Sequence, residues 1–136
     1  MATPSISQRA LAASEMPERE KDEHRGRNRL VTDDDVGNAL RWLAENAADL
    51  GHARARLIKS GHMIKHVEAL LFLASGEKTV DAKKAAVRAS RKWLDAIDEE
   101  AAAAGDFEKM KALREAASAR IECWRSESAT LRGSRP

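Results

Sequence analysis

The stretch VTDDDVGNALRWLAENAADL, residues 31–50, predicts where the fold begins and which class it belongs to. Thr32 and Asp35 have the spacing of a capping box, in which each side chain accepts a hydrogen bond from the other residue's backbone N–H. Val31 and Val36 can close a hydrophobic staple around this box. Three aspartates in the first turn complement the positive end of the helix dipole. A long helix is therefore predicted to start at about residue 33.

Apolar residues continue along this first helix at near-heptad spacing, which is typical of a packed helical seam. The seam comprises Val36, Leu40, Leu43, Ala47, Leu50, Ala53, Leu57, Ile64, Val67 and Leu71. Ser60 and Gly61 interrupt it, and a bend is expected there because an interior glycine costs about 1 kcal/mol relative to alanine. Gly76 is expected to end the helix in the left-handed cap conformation.

Two more helices are predicted, over about residues 79–104 and 106–131, since Gly105 favours the end of a helix and Asp106 the start of the next. The second has apolar or small residues at Val87, Ser90, Leu94, Ile97, Ala101 and Ala104, and the third at Met110, Leu113, Ala117, Ile121, Trp124 and Leu131. Short connections make such helices antiparallel neighbours. The predicted fold is all-α, an elongated three-helix antiparallel coiled-coil-like hairpin.

The predicted helical domain covers residues 32–132, between an N-terminal tail (1–31) and a C-terminal tail (133–136). The N-terminal tail mixes acidic and basic residues with almost no periodic hydrophobicity, which is typical of a flexible, unpacked segment. It lacks the apolar core of a signal peptide, and the longest apolar run, ALLFLA, is far too short to span a bilayer. With one cysteine, the composition favours a soluble, intracellular protein that has no membrane partner.

Residue spacing does not predict catalysis or a metal site. Cys123 has no histidine near it in the sequence, so an inert, half-buried thiol is expected. His62 and His66 lie four residues apart, but a catalytic zinc needs a third ligand, and HMIKH lacks the glutamate of the zinc-protease motif. Carboxylate pairs such as Asp95 and Glu99 belong to a solvated face. We therefore predict no enzymatic activity, no metal and no cofactor.

Two basic stripes are the most informative charge patterns. The first comprises His52, Arg56, Lys59, His62 and His66, which fall within about 120° on the first helix, opposite the seam. The second comprises Lys111, Arg114, Arg125 and Arg132, within about 60° on the third helix. Either stripe can bind nucleic-acid phosphates. Alternatively, the second can pair with carboxylates of a neighbouring helix, namely Asp95, Asp98 and Glu99.

The stretch KMKALREAASARIECWRSESATLR, residues 109–132, resembles a group of small, uncharacterised helical proteins of tailed phages and prophages, in which a long first helix accompanies a C-terminal LRxAAxxxIExWRSxxAxxR-like stretch. The matching residues are Leu113, Arg114, Ala116, Ala117, Ile121, Glu122, Trp124, Arg125, Ser126, Ala129 and Arg132. A weaker similarity extends the resemblance to about residues 36–132. The chain departs from the group at AAAAGD, residues 101–106, where relatives have an acidic or aromatic residue. Genes of this group lie near phage recombination or replication genes, which implies an accessory role.

Together these features predict a non-enzymatic helical interaction protein, encoded by a phage or prophage and located in the cytoplasm of the bacterial host cell. It is expected to dock stoichiometrically on a host or phage protein, for example one of the DNA-processing or defence machinery. The alternative is a DNA- or RNA-binding accessory factor of phage recombination or replication that uses the basic stripes. Apolar surface left uncovered by such a hairpin also predicts self-association into a homo-oligomer.

Overall fold

The computed structural model describes residues 29–134, which form three α-helices and no strand. Helix α1 spans Asp33–Ala74, α2 spans Val80–Ala89 and α3 spans Arg91–Gly133. The all-α prediction with three helices is therefore confirmed. The predicted flexible tail falls largely on residues 1–28, which lie outside the described residues, as do residues 135–136 at the C-terminus.

The start of α1 confirms the predicted capping box. The Thr32 N–H donates to Asp35 Oδ2 at 2.9 Å, and the Asp35 N–H donates to Thr32 Oγ1 at 3.2 Å. The hydrogen bond from the Thr32 backbone is the main reason that the pKa of Asp35 lies below its ordinary value. Val31 and Val36, the two staple residues, are both buried. Local sequence thus determines this end of the helix.

Helix α1 continues without a break through Ser60 and Gly61. The buried Ser60 hydroxyl donates to the Arg56 carbonyl at 2.8 Å, so its polar atom is satisfied within the helix. The predicted left-handed cap at Gly76 is wrong, because no glycine among residues 29–134 has a positive φ. Ser75 makes the turn instead: its N–H donates to the Phe72 carbonyl, and its hydroxyl accepts from the Glu77 N–H.

The predicted break between the second and third helices lies at the wrong place. Helix α2 begins close to the predicted start near Thr79, whose hydroxyl caps it by accepting from the Ala82 N–H at 3.1 Å, but α2 ends after ten residues at Ala89. Ser90 has extended backbone angles, and its carbonyl accepts the first α3 hydrogen bond, from the Leu94 N–H. Gly105 lies inside α3. An interior glycine costs only about 1 kcal/mol, which a run of alanines outweighs.

The described residues divide into two compact units. The terminal unit contains residues 29–39 and 119–134, and the central unit contains residues 40–118. Helices α1 and α3 run antiparallel within the central unit, because Arg56 pairs with Glu99 and Asp106 while the later residue Glu68 meets the earlier Trp93. The same direction holds in the terminal unit, where the beginning of α1 contacts the last turns of α3.

Small residues form the centre of the helix interface in the central unit. Ala103 is 0% exposed, and Ala117 and Ser60 are also buried. Because these side chains are short, the helices approach closely and larger seam residues straddle the contact. The predicted seam residues Leu43, Leu50, Leu57, Ile64 and Leu71 are accordingly half-buried, while Leu40 is 54% exposed. Among residues 29–134, no large side chain is fully buried.

Candidate functional site

A groove with a volume of about 540 Å³ lies between α1 and α2 in the central unit. Its lining, hereafter the α1–α2 groove, comprises Lys65, Glu68, Ala69, Phe72, Leu73, Lys84, Val87 and Arg88. Val87, the buried side chain of α2, and Phe72 form an apolar floor. Lys83 places its Nζ 5.3 Å from the centre of the Phe72 ring, a cation–π contact that holds the ring in position.

The rim of the α1–α2 groove is positively charged. Lys65, Lys84 and Arg88 form no ion pair with any residue between 29 and 134. The single carboxylate of the lining, Glu68, already accepts a hydrogen bond from the Trp93 indole at 3.0 Å. An apolar floor of this kind can bury apolar side chains of a ligand, while the cations of the rim pair with carboxylates of the same ligand.

The outward face of α1 is a second, shallower candidate surface. It combines the exposed Ile58 and Met63 with Lys59, His62 and His66 around a common depression. Residues 50–67 contain no aspartate or glutamate, so no carboxylate on this part of the helix offsets the cations. All five residues of the predicted first stripe are exposed on α1, namely His52, Arg56, Lys59, His62 and His66.

Arg56 does not belong to this outward face, and its predicted position opposite the core is wrong. Its guanidinium turns towards α3, where Nε pairs with Glu99 at 2.8 Å and Nη1 with Asp106 at 2.7 Å. The hydrogen bond from Arg56 is the main cause that lowers the pKa of Glu99, and the two carboxylates raise the pKa of Arg56. Arg56 therefore links α1 to α3 rather than serving as a free cation for phosphate binding.

Replacing Arg56 with glutamine is expected to lower the melting temperature slightly at pH 7, and this difference should be smaller in acid. The folded-state pKa of Glu99 lies below its ordinary value of 4.5, so its contribution is complete above that pH and is lost as the pH falls through the folded pKa. Melting curves at pH 7 and about pH 3 measure the effect. Arg54→Gln, at an exposed neighbour, is the control; an equal Arg56→Gln deficit at both pH values would contradict this role.

The second predicted stripe does not act as a set of free cations. Arg125 pairs with Glu122 on its own helix at 3.1 Å, and Arg132 Nε donates to the Ser128 carbonyl at 3.4 Å. Lys111 is exposed, and Arg114 lines a hollow between α1 and α3. The predicted alternative, pairing of this stripe with carboxylates of the neighbouring helix, is also not what the structure shows. Glu99 pairs with Arg56, and Asp95 pairs with Arg91.

Cys123 lies half-buried in the terminal unit, where burial is the main cause that raises the pKa of its thiol. The carboxylate of Glu127, 3.8 Å from Sγ, raises this pKa further. A protonated thiol is a poor nucleophile. No group of three or more histidine, cysteine, aspartate or glutamate side chains between residues 29 and 134 is arranged to hold a metal ion. In the same range, no helix is long and apolar enough to cross a membrane.

Comparison of the chain with known protein families, curated proteins and solved structures gives no significant match. The candidate surfaces are therefore defined by their geometry and charge. Sequence reasoning missed the α1–α2 groove because it treated residues 79–104 as one helix. The signal that could have revealed it was Ser90, a residue type that favours helix ends, placed directly after the amphipathic turn containing Val87.

Proposed function

We propose that this protein is a non-enzymatic helical interaction protein that docks stoichiometrically on another protein through the α1–α2 groove. The observation that carries the proposal is the apolar floor of Phe72 and Val87 beneath three cations that have no ion partner among residues 29–134, Lys65, Lys84 and Arg88. The complementary ligand is an amphipathic helix with apolar residues on one face and carboxylates along its flank.

The energetics favour such a ligand over a purely acidic or purely apolar segment. Leu73, at the edge of the groove, is 79% exposed, and Leu70 on the next turn is also exposed. Covering apolar surface contributes roughly 25 cal/mol per Å², whereas exposed ion pairs contribute at most about 1 kcal/mol each. Apolar contacts therefore supply most of the affinity, while the cations orient the ligand and accelerate association.

The resemblance to tailed-phage and prophage proteins supports a partner in the bacterial cytoplasm. A host or phage protein of DNA processing or of defence is our proposed class of partner, because genes of the resembling group lie beside recombination and replication genes. Docking on such a protein requires no cofactor. Stoichiometric binding needs only a complementary surface, so this function is compatible with a sequence in which we find no catalytic motif.

A second candidate is binding of DNA or RNA by the outward face of α1. The observation that favours it is the absence of carboxylates from residues 50–67, which leaves Arg54 and Lys59 without ion partners among residues 29–134. Binding to duplex DNA would weaken with salt, with a slope of about 0.9 per phosphate neutralised. The interspersed Ile58 and Met63 favour a protein ligand instead, because phosphates gain nothing from exposed apolar side chains.

Affinity capture from a bacterial lysate with two double variants of equal charge change tests these proposals. Lys84→Glu with Arg88→Glu reverses the groove rim, and Arg54→Glu with Lys59→Glu reverses the outward face of α1. We expect the wild type and the outward-face variant to retain the same proteins, as quantified by mass spectrometry. The groove variant is expected to lose at least one of them. Far-UV circular dichroism checks that both variants remain helical.

Two results would contradict docking at the groove. If all three proteins retain the same partners in equal amounts, the groove rim does not contribute to binding. If nucleic acid co-purifies with the wild type and is lost only from the outward-face variant, the second candidate is correct. A gel-shift titration at two salt concentrations then measures the number of phosphates contacted.

A further inference from the structure

A hollow of about 440 Å³ opens between α1 and α3 within the central unit, apart from both surfaces described above. Its lining comprises Trp42, Leu43, Asn46, Ala47 and Leu50 from α1, with Arg114 and Ser118 from α3. The α1 wall is mostly apolar and includes an indole ring, while the α3 wall contributes a guanidinium and a hydroxyl. The volume lies within the range of about 300–1,000 Å³ that small-molecule sites occupy.

The α1 wall of the hollow carries a polar residue where a seam needs an apolar one. Asn46 is half-buried between Leu43 and Leu50 on α1, whereas Arg114 and Ser118 on α3 are exposed. Polar side chains at such positions do not fill the space between helices as leucine would. Asn46 uses its amide Nδ2 on its own helix, donating to the Trp42 carbonyl at 2.9 Å.

The contrast with Arg56 shows what Arg114 lacks. Arg56, on α1, pairs with two carboxylates of α3. Arg114 has no ion pair or hydrogen bond with any residue between 29 and 134. A guanidinium beside apolar walls is best satisfied by a carboxylate, which it binds through two parallel hydrogen bonds.

We propose that this hollow is a binding site for a small organic carboxylate with an alkyl or aryl body. The carboxylate pairs with Arg114, and the Ser118 hydroxyl of the same wall offers a further donor. The alkyl or aryl part of the ligand lies against Trp42 and Leu50. Both side chains are half-buried, and covering their remaining apolar surface stabilises the complex. This site is independent of the proposed docking function, so either can fail without affecting the other.

Titration with octanoate and with octanol, which share a chain but differ in charge, tests the site. Calorimetry is expected to show octanoate binding about ten-fold more tightly than octanol, since only octanoate pairs its charge with Arg114. Arg114→Gln should remove this preference while leaving octanol binding unchanged. Arg114→Lys should retain part of it, because the charge remains in place.

Lys111→Gln is the matched control, since Lys111 is an exposed cation one turn before Arg114 on α3 and does not line the hollow. It should leave octanoate binding unchanged. Three outcomes would overturn the proposal: equal binding of octanoate and octanol by the wild type, undiminished octanoate binding by Arg114→Gln, or an equal loss in Lys111→Gln. The last result would mean that octanoate responds to overall charge rather than to this hollow.

Discussion

Replacing Trp124 with alanine is expected to lower the free energy of unfolding by about 3 kcal/mol, the lower end of the range for truncating a core aromatic residue. Trp124 is half-buried in the terminal unit, and its indole Nε1 donates to Asp33 Oδ1 at 2.7 Å. The substitution therefore removes apolar contact area and also the hydrogen bond that ties the last turns of α3 to the first turn of α1.

Urea denaturation and melting curves measure this effect. For a domain of this size, about 3 kcal/mol corresponds to a decrease in melting temperature of more than 10 °C. Trp124→Phe separates the two contributions, because it keeps most of the ring but loses the N–H, and it should cost about 1 kcal/mol. A melting temperature for Trp124→Ala within about 1 °C of the wild type would show that the indole contributes nothing to the interface.

Replacing Ala103 with leucine is expected to lower the free energy of unfolding by about 2 kcal/mol, because extra methylene groups in a filled interface cost about 1–3 kcal/mol. Ala103 is 0% exposed and lies where α3 packs against α1 in the central unit. The added side chain has no space unless the helices separate, and separation would remove contacts of the half-buried leucines along the seam.

Ala102→Leu is the matched control for this substitution. Ala102 precedes Ala103 in the same helix and is exposed, so the same side chain is added without entering the interface. Alanine and leucine have similar helix propensities, and we expect the control to unfold within about 0.5 kcal/mol of the wild type. If both variants lose the same stability, the small-residue interface is not the place where α1 and α3 approach most closely.

The features that sequence predicted correctly are those that local interactions determine. The capping box of Thr32 and Asp35 depends on residues three apart, and the start of α2 near Thr79 depends on a contact of the same span. The break at Ser90 was not predicted, because Gly105 carried the stronger local signal for a helix end. Helix propensity is a weak preference, and packing of α3 along α1 outweighs a single glycine.

The candidate site was less predictable because it depends on residues that are distant in sequence. Periodicity placed Arg56 among the outward cations. Its ion pairs with Glu99 and Asp106 depend on the position of the neighbouring helix, which periodicity does not give. The angular position of a residue on one helix gives the direction of its side chain but not the residues that this side chain contacts on another helix. The α1–α2 groove and the Arg114 hollow were missed for the same reason, since each has walls from two helices.

The brevity of α2 gives the α1–α2 groove an adaptable wall. Helix α2 has ten residues and buries a single side chain, Val87, whereas the opposite wall belongs to the 42-residue helix α1. Isolated helices shorter than about 12 residues are marginal in water, so α2 depends for its stability on the burial of Val87 and on the Lys83–Phe72 contact. Local opening of such a segment needs far less free energy than global unfolding. A helical ligand of the kind proposed can therefore displace α2 outward, so that the groove admits helices whose side chains differ in size. A ligand that packs tightly against α2 raises the protection of the α2 amides against hydrogen exchange.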